Sequence, residues 1–288
     1  MSATATAPTA ARDKKKRLGL LRSKGGVIGA VMFVAAALLA LIGSFFAPYS
    51  PYDTLGLPGA KPGHGHLLGL DFIGRDVFSR LLYGGRSTFL LAGCATIITY
   101  VIGASLGLIA GYSRSKVDPL IMRTVDVLLS LPALLVILLL VTAFGSTPVV
   151  LVVATALVLL PGVARIVRSA TLEVSTRGFV EAAIARGDST WSILTREILP
   201  NVTGVLSADL GLRFAWSIIL IASVNFLGIG IQPPTPDWGL MISENRVVLG
   251  SNPMAIVGPS LVLAVLIIAV NLLSDAYVRT MDRSEAGN

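Results

Sequence analysis

Along this chain, long apolar runs alternate with short polar punctuation, and the runs reach the ~20 residues that a membrane-crossing helix needs. Six qualify, at about 26–47, 87–112, 118–144, 148–168, 202–230 and 255–276. The third and fourth are joined around "FGSTP", where Gly145 and Pro148 mark a turn. Pro132 and Pro161 fall inside runs and are expected to kink them. The first run exceeds the ~7–15 apolar residues of a cleaved leader, so it is expected to stay as an anchor. The pattern predicts an all-α integral membrane protein with six transmembrane helices at 26–280, a tail at 1–25 and a short tail at 281–288.

Composition agrees with lipid as the main solvent. The 288 residues are 54% hydrophobic and 14% charged, against about 25% charged in ordinary soluble domains. The net charge of +7 marks topology rather than nucleic-acid binding, since no basic helix or aromatic platform accompanies it. With both termini placed in the cytoplasm, seventeen of the 23 Lys and Arg fall on that side, seven of them in the N-terminal segment to Lys24. The tail "MSATATAPTAARDKKKR" reads as disordered and basic, close to anionic headgroups. Cys94 sits in an apolar run and is expected to be a buried, inert thiol.

In this topology residues 169–201 form a cytoplasmic loop of unusual character. "FVEAAIARGDSTWSILTREILPN" is too polar to enter the bilayer and too rich in helix formers to be a tether. Gly187 separates two short helices, with Asp188 or Ser189 suited to cap the second, at about 189–198, which is expected to end before Pro200. A helix–Gly–helix element of this kind suits a docking surface; an amphipathic helix lying on the membrane fits the periodicity equally well.

The segment resembles the EAA loop of ABC-importer permeases. Glu181, Ala182 and Ala183 are followed by Gly187 and then by Leu199 and Pro200 at the family's spacing, with Glu197 at the nominal isoleucine position and Ile198 next to it. "LLGLDFIGRDVFSRLLYGGRSTFLLAG" (67–93), "FLGIGIQPPTPDWGLMI" (226–242) and "NLLSDAYVRTMD" (271–282) resemble segments of the dipeptide/oligopeptide/nickel permeases. From about residue 25 onward the chain is similar to the second permease subunit of such importers.

The resemblance implies a type I ABC-importer permease fold in a bacterial cell membrane. It implies a related second permease subunit, one or two cytoplasmic ATPases docked on the loop, and an extracytoplasmic binding protein that delivers di- or oligopeptides. Glu181 would anchor the loop by an ion pair at the ATPase surface. ATP and Mg would belong to the partner subunits, with no cofactor and no enzymatic activity on this chain, which carries no G-x-x-x-x-G-K-[ST] sequence. Nickel, glutathione-like or other small solutes are alternative cargo. An ATP-independent transporter is a weaker reading, since no inverted repeat is evident.

Other residues carry competing expectations. Asp209 and Arg213, four apart in the fifth run, can pair on one helix face, either lining the pathway or tying helices together. Arg123 and Asp126 are expected to pair with each other. His64 and His66 in "GHGH" make at most a weak metal site. Segment 74–86 reads as an interfacial helix, and Trp238 is expected at headgroup depth.

Overall fold

A backbone in hydrocarbon must satisfy its own hydrogen bonds, and this chain does so with helices. The computed structural model describes residues 23–63, 65–113 and 116–285, with 281–285 as backbone only. Helix α1 (Lys24–Ile42) ends in a 3-10 turn (Gly43–Phe46) and is followed by α2 (Val77–Tyr112), α3 (Val117–Ser130), α4 (Ala133–Phe144) and α5 (Pro148–Ser175). Two short helices, α6 (Gly178–Ala185) and α7 (Thr190–Ser192), precede a π turn (Ile193–Ile198) and α8 (Leu199–Phe226). Helices α9 (Trp238–Glu244) and α10 (Met254–Glu285) complete the order. Among the described residues there is no β-strand, only isolated bridges such as Thr54 with Arg75 and Leu70 with Asp76.

Five helices are long and apolar enough to cross a membrane, and α3 with α4 makes a sixth if the pair is one broken span. The single helix expected at 118–144 is therefore corrected: the chain bends by 89° between α3 and α4. Pro132 explains the break. It has no N–H to continue the ladder and pushes Leu131 into extended backbone (φ −91°, ψ 135°). Pro161 and Pro259, in contrast, lie inside continuous helices.

The bundle is held by small residues. Helices α2 and α5 meet along Gly103, Gly107 and Gly111, where an added Cβ would lie 3.1, 2.6 and 2.6 Å from atoms of α5. Small side chains permit this approach between membrane helices. Helix α1 packs on α10 in the same way, a Cβ at Gly29 falling 2.8 Å from Leu272. Cys94 is exposed on the outside of α2, which corrects the expectation of a buried thiol.

Segment 74–86, expected as a helix leading into the second span, is continuous with it as the start of α2, capped by Asp76, whose carboxylate accepts from the Ser79 N–H and hydroxyl at 2.7 Å each. The second helix of the 169–201 loop does not end before Pro200. It widens by one residue in the π turn, where the Leu199 N–H bonds the Leu194 carbonyl, and runs on into α8. The wider turn accommodates the proline ring and its missing N–H.

Candidate coupling site and intramembrane polar groups

The α6–α7 element is built as a two-sided plate. Val180 and Ala183 are fully buried against Val174, Ile193, Ile198 and Val202, while Glu181, Ala182, Ile184 and Ala185 face outward. Helix α6 ends in a Schellman motif: the Asp188 N–H bonds the Ala183 carbonyl at 3.1 Å and the Gly187 N–H bonds Ile184 at 3.0 Å. Gly187 adopts φ +80°, a conformation that side chains with Cβ disfavour. Ser189, not Asp188, caps the next helix, accepting from the Ser192 N–H at 3.3 Å. Asp188 instead pairs with Arg186 at 2.7 Å, and Arg186 also reaches Glu197 at 3.4 Å, tying the turn to the π segment.

Glu181 stands in the first turn of α6, where the helix dipole favours a carboxylate, and takes part in none of the ion pairs among the described residues. Together with Ile184, Thr190, Tyr112 and Leu194 it lines a cleft of about 660 Å³ between the plate and the inner end of α2. Leu199 is half-buried and Pro200 exposed where the plate joins α8.

Asp209 and Arg213 do pair, with Arg213 Nε donating to Asp209 Oδ2 at 2.9 Å. The pair is largely shielded and reaches two further helices. Tyr100 of α2 donates to Asp209 at 2.8 Å, and the Arg213 guanidinium lies over Gly162 of α5. Arg123 and Asp126 do not pair. Asp126 binds Arg165 of α5 at 2.6 Å, and Asp118 takes Arg168 through two bonds, one of 2.5 Å and one of 2.6 Å. From Asp118 to Asp126 the chain runs about 12 Å along α3, while Arg168 to Arg165 is about 4.5 Å along α5, so the two arginines reach from adjacent turns to well-separated carboxylates.

A buried charge cluster lies at the outer end of α2. Arg80 donates to Glu244 at 2.8 Å, and Arg75 donates to Asp71 at 2.6 Å and to Glu244 at 3.4 Å. Burial pushes the Glu244 carboxyl above the usual carboxylate range, against the pull of Arg80 and Arg75. Next to it, Asp237 accepts from Thr88 (2.7 Å), Asn225 (2.8 Å) and the Gly239 and Leu240 amides. Trp238 is fully buried in the protein, and its Nε1 donates to the Leu81 carbonyl at 2.9 Å. His66 pairs with Asp76 at 3.0 Å; His64 lies outside the described residues. Among the described residues no group of three or more His, Cys, Asp or Glu is placed to hold a metal.

The two outer segments that carried the resemblance, 67–93 and 226–242, thus bind each other through Thr88, Leu81, Asp237 and Trp238. Residues 103–286 match the family described as binding-protein-dependent transport system inner membrane component. The chain belongs to that family. Residues 17–57 also match the N-terminal transmembrane domain of oligopeptide transport permease C. The chain is 35% identical over 267 residues to the glutathione transport system permease protein GsiD of Pectobacterium atrosepticum, covering 91% of this chain and 88% of that protein. It is 33% identical to the di/tripeptide transport system permease protein DppC of Pseudomonas aeruginosa, covering 90% and 88%. The MetNI methionine ABC transporter in an inward-facing form shares the fold, with TM-score 0.58 and 20% identity over 69% of this chain and 95% of that one. As a member of this family the chain is a membrane permease subunit of an ABC importer and not an enzyme; ATP hydrolysis lies on a separate subunit.

Proposed function

We propose that this permease forms half of the pathway for short peptides, delivered by an extracytoplasmic binding protein, and that the outward face of α6 receives a cytoplasmic ATPase. The carrying observation is the two-sided plate: Val180 and Ala183 hold it to the bundle, while Glu181, Ala182 and Ile184 remain free for a partner. Ala182 and Ala185 keep that face low, so a partner backbone can approach closely. Glu181, in no ion pair among the described residues, is the group we assign to a basic residue of the ATPase. ATP and Mg bind on that partner.

The plate joins α8 without a break in the helix, so a displacement imposed by the ATPase reaches the bundle directly. A second, related permease supplies the other half of the pathway. Both termini face the cytoplasm of a bacterial cell in this reading, as the distribution of Lys and Arg favours. Relatives named for di/tripeptide and for glutathione transport favour short peptides as cargo, glutathione being itself a tripeptide.

The test is Glu181→Lys in the assembled importer. Normal membrane assembly with loss of ATP-driven uptake of a labelled dipeptide is the expected result. Uptake at the wild-type rate removes Glu181 from the coupling surface.

A further inference from the structure

The outward side of the α3–α4 elbow carries two features that hydrocarbon does not tolerate. The first is the broken backbone. Helix α4 spans Ala133–Phe144 and rises about 18 Å, short of the ~30 Å hydrocarbon core, so a chain descending from the outer end of α5 turns while still within the membrane. The last turn of α3 and the first of α4 each leave backbone groups without intrahelical partners. Two of the carbonyls are served locally, Val127 by the Ser130 hydroxyl at 2.7 Å and Leu128 by the Leu131 N–H at 3.4 Å. Irregular backbone at this depth occurs only where protein or water covers it. Yet Leu131 is 48% exposed, and Ser130 and Pro132 are exposed with it.

The second feature is an ion pair that stays open. Asp126 and Arg165 are 62% and 57% exposed, in contrast to Asp209 and Arg213 at 10% and 17%. Exposed Arg123 and Thr124 extend the polar side of α3. Charges on a spanning segment face the bundle interior or a water-filled cavity.

We propose that this face, from Arg123 to the elbow at 130–132 with Arg165 of α5, lines the water-filled translocation pathway, and that its charges contact a hydrophilic solute bearing charge of both signs. The inference rests on the importer reading above and adds to it the surface that the cargo passes. Arg123 presents a cation to a carboxylate, and Asp126, released from Arg165, an anion to an ammonium group. By the same reasoning Asp209 and Arg213, closed by Tyr100, hold helices together and stand outside the pathway.

The test uses the whole importer in membrane vesicles, in a Cys94→Ser background that removes the chain's one cysteine. Leu131→Cys and the near-isosteric Ser130→Cys are compared with Val31→Cys, which is 64% exposed on α1. A charged methanethiosulfonate reacts with thiolate, which forms in water and not in lipid. Both elbow variants are expected to react about tenfold or more faster than Val31→Cys, with a rate that changes when ATP and peptide-loaded binding protein are added. Elbow thiols that react no faster than the control would place the face in lipid or against a partner, and that outcome overturns the proposal. Uptake of labelled dipeptide in the Cys94→Ser background reports separately on the importer reading: its absence defeats that reading whatever the thiols show.

Discussion

Tyr100 of α2 and Arg213 of α8 donate to the same oxygen, Oδ2 of Asp209, at 2.8 and 2.9 Å. One carboxylate therefore satisfies a phenol and a guanidinium from two helices. Removing it leaves a shielded cation alone, which costs about 3–5 kcal/mol in comparable settings. Asp209→Leu should lower the melting temperature of the detergent-purified importer, and Asp209→Leu combined with Arg213→Leu should recover most of the loss. A single variant as stable as the parent would show that the triad holds nothing together.

The α2–α5 seam should be intolerant at one glycine and tolerant at another on the same helix. A Cβ at Gly107 meets the Ala164 carbonyl at 2.6 Å, whereas a Cβ at Gly93 meets nothing within 4 Å. Gly107→Leu must displace backbone, at a cost beyond the ~1–3 kcal/mol of ordinary overpacking. Gly107→Leu is expected to abolish the size-exclusion peak of the assembled importer and Gly93→Leu to preserve it.

The turn at Gly187 should respond to backbone preference rather than to side-chain size. At φ +80° an L-residue costs about 1–2 kcal/mol, and Asn less than most. Nothing lies within 4 Å of a Cβ there, so steric contact with neighbours is not the cause. Gly187→Val should reduce co-purification of the ATPase several-fold, and Gly187→Asn should restore most of it. Equal recovery from both variants would mean that the turn conformation is immaterial to docking.

At the outer end, Glu244 is the acceptor that Arg80 depends on. Arg80 reaches Asp71 only at 3.6 Å, so Glu244→Leu leaves its guanidinium buried with one distant counter-charge. The expected loss is about 3–5 kcal/mol. Because water and salt ions are excluded from the cluster, the drop in thermal stability should be nearly the same at low and high salt. A loss that vanished in high salt would place these charges at the surface.

Much of the helical pattern was legible because hydrocarbon imposes one solution on the backbone. The turn at Gly187 was legible as well, since few residues besides glycine enter that conformation readily. Three kinds of feature were not. Pro132 read as a kink, because nothing local distinguishes a bent span from one that turns through 89°. Arg75 and Arg80 read as an interfacial face, because Glu244, which both reach, comes from α9, more than 160 residues along the chain. Arg123 and Asp126 were paired by spacing along one helix, whereas the packing of α3 against α5 gives Asp126 to Arg165. Helix periodicity names a face; it does not name what the face meets.

The continuous run Thr190–Phe226 is about 55 Å long at the ordinary helical rise. Its outer end is pinned, since Asn225 donates to buried Asp237 and accepts from the Ile231 amide. Its other end carries Trp191, 75% exposed, clear of the bundle. A rod fixed at one end and pushed at the other is a lever with its fulcrum at Asn225. A swing of ~10° about that fulcrum moves the Trp191 end by roughly 10 Å while the loops around Asp237 stay nearly still, given the length that the helical rise sets. One mouth of the bundle can thus keep its shape while the opposite mouth opens and shuts.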